Sequence, residues 1–395
     1  MEKLKIKSFV IEFRKKIQAG NCFIRFNSSL DKHKTKVLLK ALEIVVQIDD
    51  DTYKIETKKF FDINIKSFHS LLVKENFISF RFITANGNQF DTEVLKLNVS
   101  CNKFQRINLN IDDNKDEENK NVSITCSNCD SMLTAEKEVK IRRIRELPSS
   151  NLNISDWFCH RHDDEKLFDD SQTHDTSTAC FNEQTQQFQP RISDIFYEPF
   201  CLLMNSQLFD KTRLRQKRKS VYCKRCLQLM GESSSTITKF WWESIKISGK
   251  PFFDVASPID LIKNVIKNHL SCEGLGFLTP IVKIIFEASL PADDQKIHIL
   301  IQVMDKNLQL LRLNLDDLQL VERRSIKVMY LKLNQNNDDD ERTLKYWQKD
   351  INIASFELSI KMFHTLCEYL KAQSDLIPEV YRTNNCFQLS YIEFL

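Results

Sequence analysis

Phe77-Ile78-Ser79-Phe80-Arg81-Phe82-Ile83 is the stretch that decides the fold class. Aromatic and β-branched side chains dominate it, the content of a half-buried strand. A second run of this kind, Glu93-Val94-Leu95-Lys96-Leu97-Asn98-Val99, follows Asn86-Gly87-Asn88, a turn sequence. The pair predicts an antiparallel hairpin, and residues 1–112 read as a β-rich, sandwich-like domain. Within it, residues 36–48 fit a strand or a helix equally.

Outward from that domain the character changes twice. Residues 112–120 (Asp-Asp-Asn-Lys-Asp-Glu-Glu-Asn-Lys) form an unbroken polar run, a surface loop or boundary. Residues 113–245 hold two Cys-x-x-Cys motifs around a long polar insert, residues 146–220. The insert is nearly free of strand alternation and carries two apolar islands, residues 152–159 and 192–203. Residues 246–395 read as α+β. Ser257-Pro258-Ile259-Asp260 is a helix start, with Ser at the cap, Pro in the first turn and an acid after it. Leu261, Ile262, Val265, Ile266 and Leu270 then share one helical face. Residues 297–304 and 326–333 read as buried strands, and Ile360, Phe363, Leu366, Cys367 and Leu370 as a second helix. Residues 334–342 read as a charged loop. The fold class is therefore α+β: a β-rich N-terminal domain, a zinc-knuckle centre with a long insert, and an α+β C-terminal domain.

Composition narrows the function. The chain has 395 residues, 42% apolar and 28% charged, enough for a sizeable core and unlike a disordered chain. Its formal net charge of +3 does not by itself imply a nucleic-acid or membrane surface. Only six glycines are present, and none of their spacings makes a phosphate-cradling loop, which argues against a nucleotide-binding enzyme. No apolar run suits a signal peptide or a membrane span. Twelve cysteines spread along such a chain are expected as reduced thiols, in cytoplasm and nucleus.

The cysteines carry the chemistry. Cys126-Ser127-Asn128-Cys129 and Cys223-Lys224-Arg225-Cys226 each let two thiolates face one ion from a tight turn. Zinc takes four such ligands in a tetrahedron, and the two motifs supply them, with Lys224 and Arg225 to offset the thiolate charge. The alternative is two independent turns with buried cysteines. A redox role is disfavoured, because neither motif opens a helix after a strand. Inside the insert, Asp156-Trp157-Phe158-Cys159-His160-Arg161-His162-Asp163-Asp164 is dense in possible metal ligands and holds a thiol beside an imidazole. Its plainer reading is a solvated loop anchored by Trp157 and Phe158. Arg213, Arg215, Lys217, Arg218 and Lys219 form a basic run that suits an import signal, an acidic partner or a solvated loop.

Tyr222-Cys223-Lys224-Arg225-Cys226 with Met230-Gly231-Glu232 and Thr238-Lys239-Phe240 resembles a knuckle of the HECT-like ubiquitin-conjugating-enzyme-binding proteins, a D-type class of ubiquitin ligase. Cys126-Ser127-Asn128-Cys129, Glu146-Leu147-Pro148-Ser149, Trp157-Phe158-Cys159-His160 and Asp194-Ile195-Phe196 are similar to its other signatures, in the same order. The resemblance covers residues 120–245. It implies a ligase that accepts ubiquitin from a ubiquitin-conjugating enzyme (E2) and passes it to substrates such as cyclins. It also implies an inhibitor of the endonuclease subunit of the cleavage and polyadenylation specificity factor, which cuts pre-mRNA 3′ ends. In that second role Cys159 would ligate the nuclease's active-site zinc, with Trp157, Phe158, His160, Asp163 and Asp164 as partner contacts. A thiolate on a flexible insert suits the task, since it can displace the water that a di-zinc nuclease activates. A ubiquitin relay needs an exposed, activated thiol. The nearest C-terminal candidate is Cys386 in Asn385-Cys386-Phe387; it opens a strand-like run and reads as core, as does Cys367. Protein partners are expected, and neither a membrane nor nucleic acid bound directly, because exposed aromatics among the basic residues are few.

Overall fold

The computed structural model describes residues 6–85, 120–147, 189–234, 236–252, 257–271, 282–291, 295–333, 337–350 and 353–394. These residues are β-rich with few helices, and the largest sheet curls into a half-barrel. That sheet has ten strands. Its centre is the pairing of the first strand, Ile6–Arg14, with the 18-residue strand Lys296–Leu313. The first strand continues antiparallel into Ala19–Phe26, Phe77–Ile83 and His69–Lys74. The long strand continues into Leu320–Lys332 and Phe387–Phe394, and its first half also pairs with Lys283–Ser289. One sheet therefore joins the two ends of the chain.

Phe77–Ile83 is a strand as its composition dictates, with Phe77, Ile78, Phe80 and Phe82 buried. Residues 36–48 resolve into two strands of a three-stranded meander: Thr35–Lys40, Glu43–Ile48 and Asp51–Glu56. Ile44, Val46, Ile48 and Ile55 of the meander share a core with Phe13, Phe26, Phe61 and Phe82, so it packs on the half-barrel sheet. The run Glu93 to Val99 lies outside the described residues.

The centre of the chain is a seven-stranded sheet. Its order is Arg143–Glu146, Asp194–Tyr197, Cys201–Asn205, Ile237–Trp241, Leu229–Ser233, Ser220–Cys223, Leu214–Lys217. Three of these strands fall within the stretch 146–220, although that stretch is nearly free of strand alternation. The island at 192–203 supplies two of them. Asp194–Tyr197 is buried at every position, so it shows no alternation for sequence reading to detect. Gly231 is fixed by this sheet: a Cβ there would stand 1.8 Å from the Lys239 carbonyl oxygen on the adjacent strand.

The helices Pro258–Ser271 and Ile360–Ser374 lie where their apolar periodicity puts them, and they pack in the same core as the seven-stranded sheet. Ser359 caps the second, accepting a hydrogen bond from the Met362 N–H at 3.0 Å. Of the charged stretch 334–342, the described part, residues 337–342, is a helix and its cap, not a loop. Asp338–Gln348 is a helix capped by Asn337, with four acids in its first turn facing the positive end of the helix dipole. No helix among the described residues is long and apolar enough to cross a membrane.

Candidate metal centre

Each Cys-x-x-Cys motif leaves a strand and folds into the same turn. Cys126 ends the strand Ile124–Cys126, and Cys223 ends Ser220–Cys223. In the first turn the Asp130 N–H donates to the Cys126 carbonyl at 3.0 Å, and the Cys126 N–H donates to the Ser131 carbonyl at 2.9 Å. In the second the Leu227 N–H donates to the Cys223 carbonyl at 2.8 Å, and the Cys223 N–H donates to the Gln228 carbonyl at 2.9 Å. The residue after each second cysteine takes a left-handed conformation, Asp130 at φ 55° and Leu227 at φ 59°. Neither is glycine, so both positions are strained and held by the turn around them. Sequence spacing identified the four cysteines. It did not identify Asp130 and Leu227, although both stand immediately after a Cys-x-x-Cys.

The two turns meet face to face. Cys126 Sγ lies 3.6 Å from Cys226 Sγ, and Cys129 Sγ lies 3.6 Å from Cys223 Sγ. All four sulfurs fall within 4.8 Å of one another. Zinc–thiolate bonds of about 2.3 Å in a tetrahedron put sulfurs about 3.8 Å apart, so the cluster fits such an ion. Cys126 and Cys223 are buried in the core, and Cys129 and Cys226 are half-buried. The expected sharing of one site by two distant motifs is therefore geometrically met.

The surroundings treat these thiols unequally. Burial pushes the Cys126 thiol up to about 12, against hydrogen bonds from the Cys129 and Asn128 N–H groups. Burial also raises Cys129. Burial opposes charge on Cys226 too, but the Gln228 N–H and the Asn128, Cys129 and Cys126 side chains bring it down to about 6. Cys226 is thus the thiol most readily ionised, while burial holds the protons on Cys126 and Cys129 until a metal ion displaces them. The Arg225 guanidinium donates to the Cys129 carbonyl at 3.4 Å, tying the two knuckles together. Lys246 and Asp130 pair at 2.8 Å beside them.

The other site residues fall differently. Trp157, Phe158, Cys159, His160, Asp163 and Asp164 lie outside the described residues. The strands bracketing that segment, Arg143–Glu146 and Asp194–Tyr197, are parallel neighbours. Arg143 clamps them with a two-pronged contact to Asp194, at 3.0 and 2.8 Å. Cys386 is not core. It is exposed in the tight turn between Thr383–Asn384 and Phe387–Phe394, where Asn385 takes φ 53°. Its neighbour Phe387 is the residue that goes inward, stacking on Trp347 at 5.9 Å. Cys367 is half-buried against the core, and burial raises its thiol. Cys22 and Cys201 are buried thiols pushed well up by burial, the inert kind.

A family model described as HECT-like ubiquitin-conjugating enzyme (E2)-binding matches residues 12–389. The chain belongs to this family. The match runs from the end of the first strand, through the four-cysteine centre, to the start of the final strand, so the family is spread over the whole fold and not confined to the knuckles. No curated protein and no solved structure matches the chain.

Proposed function

We propose that this protein acts in ubiquitin conjugation, as an E2-binding ligase-related protein built around a structural zinc ion on Cys126, Cys129, Cys223 and Cys226. The observation that carries the reading is the family match over residues 12–389. A structural role for the metal fits the donor set: four sulfurs within 4.8 Å of one another would complete a zinc tetrahedron and leave no open position for a substrate or water. Catalysis, where it occurs, then falls to a thiol elsewhere. Among the described cysteines Cys386 is the exposed one. A relay thiol must be reached by the E2-bound thioester, which is attacked by the acceptor sulfur with loss of the E2 thiolate. The test mixes ubiquitin-charged E2 with wild type, Cys386→Ser and Cys159→Ser. A reducible ubiquitin adduct lost in one variant names the relay cysteine. E2 binding without an adduct makes the protein a scaffold for transfer.

A second reading rests on the insert. The described strands that flank residues 148–188, the stretch carrying Trp157-Phe158-Cys159-His160, are adjacent and clamped together. In this reading Cys159 enters the active site of the 3′-end-processing endonuclease and ligates its zinc, with Trp157, Phe158, His160, Asp163 and Asp164 as contacts. Co-purification with the nuclease and an RNA cleavage assay separate the readings. Wild type that silences cleavage where Cys159→Ser does not makes the chain an inhibitor. Identical behaviour of the two proteins removes this reading and leaves ubiquitin transfer.

A further inference from the structure

The second knuckle carries an apolar side chain that the metal centre does not use. Leu227 is 59% exposed, the highest value among the described leucines. It stands at φ 59°, a conformation that costs a branched side chain energy and suits glycine. A glycine there would make the same turn with less strain and without displaying a hydrophobic side chain. The strain and the exposure together point to a task for the side chain itself.

Leu227 sits among cations. Exposed Lys224 and Arg225 precede it in the knuckle. The Lys224 N–H bonds the Arg213 carbonyl at 2.9 Å, which ties the knuckle to the hairpin made of Leu214–Lys217 and Ser220–Cys223. That hairpin presents exposed Arg215, Lys217, Arg218 and Lys219, and its outer strand ends the seven-stranded sheet among the described residues. The only acids between Ser206 and Glu232 are Asp210, which pairs with Arg213 at 3.1 Å, and Glu232. A zinc ion on four thiolates leaves about two net negative charges, too few to balance this surface. The excess positive charge faces outward.

We infer that the tip of the second knuckle and the basic hairpin beside it form the docking surface for the E2, with Leu227 as its apolar anchor. This rests on the E2-binding reading above. The surface selects an E2 that offers an apolar notch rimmed by acidic residues. An anchor of one rigid apolar side chain within a charged rim is the usual division of labour at protein interfaces: the centre holds, and the rim steers. The metal ion gives the knuckle its rigidity, so little ordering is left for the moment of binding. RNA would use the cations but has no use for a strained exposed leucine, which is why a protein partner is favoured.

The experiment uses the full zinc-loaded chain against a panel of purified E2 enzymes, with binding measured by calorimetry or interferometry at several salt concentrations. The informative variants are Leu227→Gly, which removes the anchor while relaxing the turn, and Lys217→Glu with Arg218→Glu on the exposed hairpin. The expected result is an E2 that binds wild type about tenfold or more tightly than Leu227→Gly. The charge-reversed variant should associate more slowly and lose its salt dependence. Because Leu227→Gly favours the native turn, its loss of binding cannot come from misfolding, and a melting temperature at or above that of wild type confirms this. An E2 that binds wild type and both variants equally overturns the surface and leaves E2 binding standing. No binding by wild type to any E2 overturns both. Tight binding of a single-stranded RNA oligonucleotide that the charge reversal abolishes, with E2 binding untouched, overturns the inference in favour of nucleic acid.

Discussion

Cys126 Sγ and Cys226 Sγ stand 3.6 Å apart across a separation of 100 residues. A metal ion on them closes a loop that contains the whole insert. By the chain-entropy relation for a cross-link, closing a loop of that length contributes about 4–5 kcal/mol. The purified chain should therefore carry one zinc ion by elemental analysis. Cys126→Ser and Cys226→Ser should each lose it, with a large drop in melting temperature. Wild type treated with a strong chelator should melt like the variants. A chain that holds no zinc, or variants that melt like wild type, would remove the metal centre from the account.

Gly231 tests the sheet that carries the second knuckle. A Cβ there collides at 1.8 Å with backbone, the Lys239 carbonyl, which no rotamer change can relieve. Gly231→Ala should cost about 3 kcal/mol or more, the range of a forced overpacking in a sheet interior. Gly249 is the control. Its φ of 77° lies in the left-handed region, but a Cβ meets nothing within 4 Å. Gly249→Ala should cost only about 1 kcal/mol. Denaturant unfolding of the two variants compares them directly, and equal costs would contradict the packing described for Gly231.

The sequence disclosed what is local and periodic, and concealed what is distant or uniform. The four cysteines were legible because tetrahedral zinc demands pairs at that spacing. The helices at Pro258 and Ile360 were legible because one face of each is apolar. Asp194–Tyr197 was hidden because both its faces are buried. The helix at Asp338 was hidden because it is polar nearly all round, although Asn337 and the acids after it spell a helix start. Cys386 was misread because Phe387 pulls its neighbourhood toward a strand, whereas Asn385 turns the chain just before it. The pairing of Ile6–Arg14 with Lys296–Leu313 has no local signature at all.

Glu287 gives a pH-dependent prediction. Burial opposes its charge, but hydrogen bonds from His298 and Lys296 and their positive charges outweigh it and bring the carboxyl down to about 2. Lys296 Nζ lies 2.6 Å from one oxygen and His298 Nε2 3.5 Å from the other. A carboxyl depressed in the folded state stabilises the fold above its unfolded value near 4.3, and that contribution fades as pH falls toward 2. Glu287→Gln should lower stability at neutral pH by about 1–3 kcal/mol and flatten the acid limb of the stability curve. An acid limb identical to wild type would show that other carboxylates set it.

Glu12 and Lys327 test how the two ends of the chain are locked together. The Lys327 ammonium reaches Glu12 at 2.5 Å, the Tyr391 hydroxyl donates to the same oxygen at 2.6 Å, and Asn21 donates to the other at 3.2 Å. Burial works against the Glu12 charge, yet Lys327 and these hydrogen bonds hold its carboxyl below the ordinary value. Lys327 pairs with Asp305 inside the break of register between Val303 and Leu308, and Glu12 pairs with Leu310 just beyond it. A buried pair of this kind gains little over an apolar pair of equal volume, because both ions must be desolvated. Breaking one side is different, since it strands the other charge. Glu12→Gln should cost about 3–5 kcal/mol by denaturant unfolding, with Lys327 left facing a neutral amide. Lys327→Met should cost about 3 kcal/mol, the low end of that range, because Arg14 stays 3.9 Å from the Glu12 carboxylate. The double variant Glu12→Gln with Lys327→Met should recover much of the loss, giving a coupling energy of about 2 kcal/mol or more. Strict additivity would mean that the two side chains act separately, and that the sheet's closure rests on backbone pairing and the surrounding core alone.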